Sequence, residues 1–400
     1  MDEHIFDHYW DRSGPYASKW QRAPEGAAQS PGFTPLALMG GDMDFATAPS
    51  VLTALRERMD HPLFGGFEIP DRYYDAISYW HRVRYGVKGL QKHDISYENS
   101  VLAGMASAIQ ACTKPGDAVL VNTPAHMGFT ILLQNIGREA VFSPLSRDKD
   151  GIYRMNLSDM GEKIRAHKIR CAIFCSPHNP TGRVWEREEL TAYVDLMDQL
   201  GVRIISDEIW SDFVLDEHHR HIPLQSVSEK AKAITAAFYS PSKTFNTEGL
   251  AGAYSVIYDP ELREKTAHFS ALTRYNVPNI FSCAALWGGY EEGAEWVDAL
   301  LAYLRKNRDL AIDYTVHSLP ALQFSFAQGT CMMMADLSLW CRMRRETLDE
   351  VLQRANACGV WLTDCRPFLL PDHIRLSFAS QSARLEDALC RLKDHVLIEE

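Results

Sequence analysis

Lys243 lies in AITAAFYSPSKTFNTEGLAGAY (residues 233–254), just after an apolar run, Ala233 to Tyr239, that reads as a buried strand ending in a proline turn. An amine in apolar surroundings is a nucleophile suited to forming a Schiff base with an aldehyde. A lysine reaching solvent from a loop is the alternative. Asp207 and Glu208 follow Ile204, Ile205 and Ser206, the end of the strand-like run, in IISDEIWSD. A carboxylate at a buried strand end needs a positive partner. That partner is an arginine, a helix N-terminus or a protonated ring nitrogen of a cofactor. In CSPHNPTGRVW, a strand runs into the turn Asn179-Pro180-Thr181-Gly182, which either is only a turn or makes Asn179 a fixed amide donor. Gly104, in VLAGMASAIQACTKPG, precedes an Ala-rich stretch that stops at Lys114-Pro115-Gly116. A glycine among small residues lets a phosphate approach the free N–H groups of a helix start, or simply lets the helix pack closely on a sheet.

These residues share one placement: each follows a short apolar run. Between about residues 95 and 260 the runs AVLVN, EAVFS, CAIFCS, VRIISD, AITAAFY and AYSVI alternate with segments of helical length. In REELTAYVDLMDQLG, Leu190, Val194 and Met197 fall on one helical face, and Gly201 is a C-terminal stop. The alternation implies an α/β fold with a mostly parallel sheet covered on both faces, and ligands in such sheets bind beyond the carboxyl ends of the strands. After about residue 290 the pattern changes to one long amphipathic helix, EWVDALLAYLRKNRDLAIDYTV, then strand-like LQFSFA, CMMMADL and IRLSFAS. A last helix, SARLEDALCRLKDHV, has serine at its start. This is a smaller α+β domain. The expected division is 1–48, an N-terminal segment contributing to the small domain; 49–288, the large domain; and 289–400, the small C-terminal domain.

A length of 400 residues with 46% hydrophobic content supports a folded core and two domains. A net charge of −11 and the absence of a basic block argue against a nucleic-acid partner. MDEHIFDHYW reads as neither a signal nor a transit peptide, and no apolar run reaches the roughly 20 residues a membrane helix needs. Nine cysteines, an odd number without C-x-x-C, suggest reduced thiols in a cytoplasmic protein; Cys171 and Cys175 read as core thiols, and no metal site is expected.

Taken together, GDMDFATAPSVLTAL, HPLFGG, SPHNPTG, IISDEI, SPSKTFN and LAGAY make the chain resemble, nearly end to end, the fold-type I pyridoxal-phosphate (PLP) enzymes of the class I/II aminotransferase superfamily. Within it, the chain most resembles the MalY/PatB-type cystathionine β-lyases. The resemblance implies a seven-stranded, mostly parallel sheet, PLP as cofactor, an amino-acid substrate and a homodimer with active sites at the subunit interface. It implies that Lys243 holds PLP and moves the proton at the substrate Cα, that Asp207 pairs with the ring nitrogen, and that Asn179 bonds the ring's O3′ and borders the substrate. Gly104, Met105, Ala106, Ser240 and Ser242 would hold the phosphate, Met43 would border the substrate, and Arg375 in HIRLSFAS would take the substrate carboxylate. Ala251 stands where many aminotransferases carry an arginine, an absence shared with the resembled lyases.

Three positions depart from the family pattern. His126 stands where relatives place an aromatic residue on the ring, and a neutral imidazole is expected there because a protonated one would repel the pyridinium. Gly66 stands for the tyrosine of FGY, which would reach the partner subunit's cofactor. Trp210 stands for tyrosine or histidine near O3′ and donates a hydrogen bond without relaying a proton. The implied reaction is α,β-elimination from a cysteine S-conjugate to thiol, pyruvate and ammonia. The departures leave open decarboxylation with oxidative deamination, or transamination. A non-enzymatic sensing or partner-binding role is the reading from another class.

Overall fold

The computed structural model describes residues 3–12, 17, 19, 24, 32–273 and 275–398; the rest of the expected 1–48 segment lies outside the described residues. The central sheet has seven strands: β1 (Ile95–Glu98), β2 (Ala118–Thr123), β3 (Glu139–Pro144), β4 (Cys171–Cys175), β5 (Arg203–Asp207), β6 (Thr235–Tyr239) and β7 (Ala253–Val256). Their spatial order is β1-β7-β6-β5-β4-β2-β3, and only β7 runs antiparallel to its neighbours. Around the sheet run helices α1 (Pro49–Asp60), α2 (Asp71–Tyr85), α3 (Val101–Cys112), α4 (Met127–Asn135), α5 (Leu157–His167), α6 (Arg187–Gln199) and α7 (Ile280–Glu292).

The middle strands are rich in apolar residues because successive side chains enter different cores. Leu120, Ala172, Phe174 and Ile204 face one core, which α5 and α6 cover with Met160, Ile164, Leu190, Val194 and Met197. Val119, Val121, Ile173, Ile205 and Phe238 face the other, under Met105, Ala108 and Ile109 of α3. Helix α6 stops where expected, with Gly201 at φ 66°, a conformation that glycine adopts without cost.

Beyond α7 come α8 (Ala294–Ser318), the antiparallel strands β8 (Met332–Asp336), β9 (Thr363–Asp364) and β10 (His373–Ser377) with β10 in the middle, and α9 (Ser382–His395). Leu36–Ala37 pair in parallel with Val360–Trp361, tying the N-terminal segment to this layer. The expected boundary at residue 288 falls inside α7, whose helix continues to Glu292 and changes direction at Gly293. LQFSFA forms a single bridge, Phe324 to Ala335, instead of a strand. Ser382 does not cap α9; Gln381 occupies that position, and the Ser382 hydroxyl donates to Asn307 Oδ1 at 2.7 Å. Strand β1 was not singled out by the alternating runs, because ISYE is short and half polar.

Gly104 shows how closely α3 sits on the sheet: a Cβ there would meet the Phe238 ring at 2.6 Å and Glu98 Cδ at 3.0 Å. Neither the buried ring nor the buried glutamate has room to yield. Gly104→Ala is expected to cost roughly 1–3 kcal/mol, read as a lower midpoint in denaturant unfolding.

Candidate active site

The carboxyl ends of β4, β5 and β6 open on one cavity of about 250 Å³. Its wall brings together Lys243, Asp207, Asn179, His126, Trp210, Ser240, Ser242 and Arg375 from the expected set, with Gly41, Ser100, Val101, Leu102, Glu248, Ala251 and Gly252 among the others.

Lys243 sits on a short helix, Pro241–Thr244, that starts directly after β6. Proline at the first helical position suits this start, and Ser240 caps it: its Oγ accepts from Ser242 N–H at 3.1 Å and donates to the Gly252 carbonyl at 2.7 Å. The Thr244 hydroxyl donates to buried Asp212 at 2.7 Å. Asp212 also accepts from Trp80 Nε1 at 3.1 Å and from the Tyr85 hydroxyl at 2.8 Å. Asn246, at φ 54°, accepts from Met43 N–H at 3.2 Å and donates to the carbonyls of Met43 and Phe45. Lys243 Nζ ends 2.5 Å from Glu248 Oε2 and 5.8 Å from the Trp210 ring centroid.

Asp207 ends β5, beside Cys175 of β4 and Phe238 of β6. Its Oδ1 accepts from Ile209 N–H at 3.1 Å. Burial pushes its carboxyl up to about 7; Glu208 adds to the rise, and the Ile209 bond and Lys243 oppose it. Arg375, on β10, is equally buried: its Nη1 donates to Asn179 Oδ1 at 2.8 Å and its guanidinium lies 4.4 Å from the Phe368 ring centroid. Burial draws its pKa down to about 10, and among the described residues no carboxylate lies within ion-pair distance of it. His126, at the start of α4, has a buried Nδ1 without a hydrogen-bond partner among the described residues. Burial, with Arg375 and Lys243 nearby, lowers its pKa to about 4, so the ring is neutral at pH 7.

The phosphate-binding expectation needs correction at the helix start. The first turn of α3, Ser100 to Leu102, lines the cavity, with Ser100 as cap accepting from Ala103 N–H at 3.2 Å. Gly104 and Met105 lie a turn further on and are buried, with Gly104 N–H bonded to the Ser100 carbonyl at 3.1 Å; Ala106 likewise lies off the cavity wall. A helix offers its unpaired N–H groups only in the first turn. Ser100, a capping residue before an apolar run, was the available signal. Met43 is buried in the core, and Gly41 lines the cavity instead. Gly66 has open space around it and lies off this chain's cavity. Ala251 holds φ 57° and ψ −163°, a strained conformation for any residue but glycine. No sequence signal marked Asp212 or Glu248.

This donor set fits PLP. A buried carboxyl and a buried arginine that lack ion-pair partners among the described residues, a helix start on the cavity wall and an amine on the same wall are the groups the cofactor and an amino-acid substrate would satisfy. The chain matches the family described as aminotransferase class I and II over residues 35–392. It is 32% identical to cystathionine beta-lyase PatB of Bacillus subtilis (strain 168), covering 97% of this chain and 98% of that one. It is 33% identical to protein MalY of Escherichia coli (strain K12), covering 82% of each. Among solved structures, the PLP-bound C-S lyase from Staphylococcus hominis superposes with a TM-score of 0.88 at 27% identity, covering 98% of each chain. The chain belongs to the class I and II aminotransferase family and is a PLP-dependent enzyme.

Asp207 gives a pH test on the cofactor-free protein. Its native carboxyl keeps a proton up to about 7, against an ordinary value of 3.8, so the native state binds more protons than the unfolded state between those values. Stability then falls as pH rises through that interval. Asp207→Asn removes this loss: the cofactor-free variant is expected to melt about 3 °C above the wild type at pH 8 and close to it at pH 4.

Proposed function

We propose that the protein is a carbon–sulfur β-lyase that cleaves a cysteine S-conjugate by α,β-elimination to a thiol, pyruvate and ammonia. The observation that carries this is the presence on one cavity wall of Lys243, an amine, and Arg375, a buried guanidinium without a carboxylate partner among the described residues. The lyase branch is supported by the likeness to cystathionine beta-lyase PatB over nearly the whole chain.

Arg375 would pair with the substrate's α-carboxylate through its planar fork, held at the correct angle by Asn179 Oδ1. Asn179 keeps its amide NH2 for O3′ of the cofactor. Asp207 would hold the proton on the ring nitrogen, and that cation would return its carboxyl to the ionised form. Ser242 and the N–H groups of the first turn of α3 would hold the phosphate; the Ser240 hydroxyl, engaged by Gly252, would act by shaping the turn. PLP, when bound, supplies the electron sink that accepts the Cα electron pair. Lys243 takes the Cα proton, the Cβ–S bond breaks and the sulfur leaves with the bonding pair to be protonated as a thiol. Water then releases pyruvate and ammonia. Neutral His126 adds no positive charge beside the ring.

A homodimer belongs to this proposal. Leu63 and Phe64, before α2, and Val277, before α7, are exposed apolar side chains, and the Phe64 ring lies 5.4 Å from that of Phe281. Covering them with a second copy removes apolar surface from water. Sedimentation should give about twice 45.3 kDa.

Incubating the PLP-loaded protein with S-substituted cysteines should yield pyruvate and free thiol in equal amounts. Loss of CO2, or a keto acid formed only with an acceptor, would replace elimination by decarboxylation or transamination. In Lys243→Ala, borohydride should no longer fix the cofactor to the chain; covalent labelling of the variant would overturn the lysine assignment. Arg375→Ala should lower kcat/KM by about 100-fold through lost carboxylate pairing.

A further inference from the structure

We infer that Glu248 is a specificity residue that selects cysteine S-conjugates carrying a cationic group on sulfur over those carrying a carboxylate. This rests on the lyase reading and adds the substrate's charge class. Glu248 opens a short turn, Glu248–Leu250, and its carboxylate reaches into the cavity to 2.5 Å from Lys243 Nζ although its side chain is 62% exposed. Among the described residues, Lys243 is its one ionic partner.

The other charges of the site are accounted for. Arg375 is oriented by Asn179 for the α-carboxylate, and Asp207 sits at the buried end of β5. Asp42 and Asp44, next to cavity-lining Gly41, are both engaged by Arg12 and Lys19. While joined to the cofactor, and again when released as the uncharged amine that takes the Cα proton, the Lys243 nitrogen would offer Glu248 no ammonium, so the Glu248 carboxylate would face the group on sulfur without that partner. The arginine and the lysine fix where the carboxylate and the reacting carbon go. The group on sulfur must extend into the part of the cavity left open, and Glu248 stands on its solvent side. A carboxylate there attracts a cation and repels an anion across a few ångströms, an effect softened by solvent and salt but retained at close range.

The test uses the PLP-loaded enzyme and two probes of similar length and opposite charge, S-(2-aminoethyl)-L-cysteine and S-carboxymethyl-L-cysteine. Wild type is expected to favour the aminoethyl compound about tenfold in kcat/KM, less at high salt. Glu248→Gln should remove most of that preference and Glu248→Lys should invert it. Equal preference in wild type and Glu248→Gln would overturn the proposal, and this variant decides alone if Glu248→Lys does not fold. The same pair is measured for equilibrium binding by calorimetry. If neither compound yields pyruvate, the lyase reading fails, and the charge preference in binding still upholds or refutes the role of Glu248.

Discussion

The site hangs on one buried carboxylate that does not itself line the cavity. Asp212 accepts hydrogen bonds from Trp80, Tyr85 and Thr244, and so joins α2 to the short helix that carries Lys243. Without such a tie, a four-residue helix has too few internal bonds to hold a shape of its own. Its start is fixed by the Ser240 cap and its far end by Asn246, whose side chain grips the backbone at Met43 and Phe45. Three separate segments therefore converge on one lysine. Asp212 is held by neutral donors and by Arg84 at 3.9 Å, which keeps a buried charge tolerable.

On this frame the cavity gathers groups that are each uncomfortable alone. Burial drives the Asp207 carboxyl towards its neutral form and weakens the hold of Arg375 on its proton. His126 is pressed towards neutrality in the same way. In the proposed reading a cationic ring nitrogen and an anionic carboxylate would relieve the first two, and binding energy would come from costs already present in the folded chain. Ala251 adds backbone strain at the same place, where function and strain tend to coincide.

Membership of the class I and II aminotransferases fixes the cofactor and the order of the elements, and leaves the chemistry to the pocket. The departures noted in the sequence divide by location. His126 and Trp210 are on this chain's cavity, one a neutral imidazole and the other a buried indole. Gly66 is away from it, in an exposed loop with open space around it. Glu248 belongs with the first two in space.

Local pattern determined much of this. The runs that became β2 to β7 were legible because a strand buried on both faces is apolar at most positions. Lys243, Asp207 and Asn179 were legible because each is a polar residue stranded at the end of such a run. The start of α3 was misplaced by one turn, since small residues such as Gly104 mark close packing as readily as a phosphate site; only the turn's hydrogen bonds tell them apart. β1 was missed because half-polar ISYE gains its strand conformation from pairing with β7. Arg375 was reached by likeness to a family, and its partner Asn179 lies 196 residues away. Asp212 and Asn246 were invisible for the same reason. Hydrophobic periodicity is written into consecutive residues, so the sequence alone determined the layers and the strand ends. Which carboxylate anchors the lysine helix is a contact across the chain, and which one meets its amine depends on how the turn after that helix folds back, so only the tertiary structure decided them.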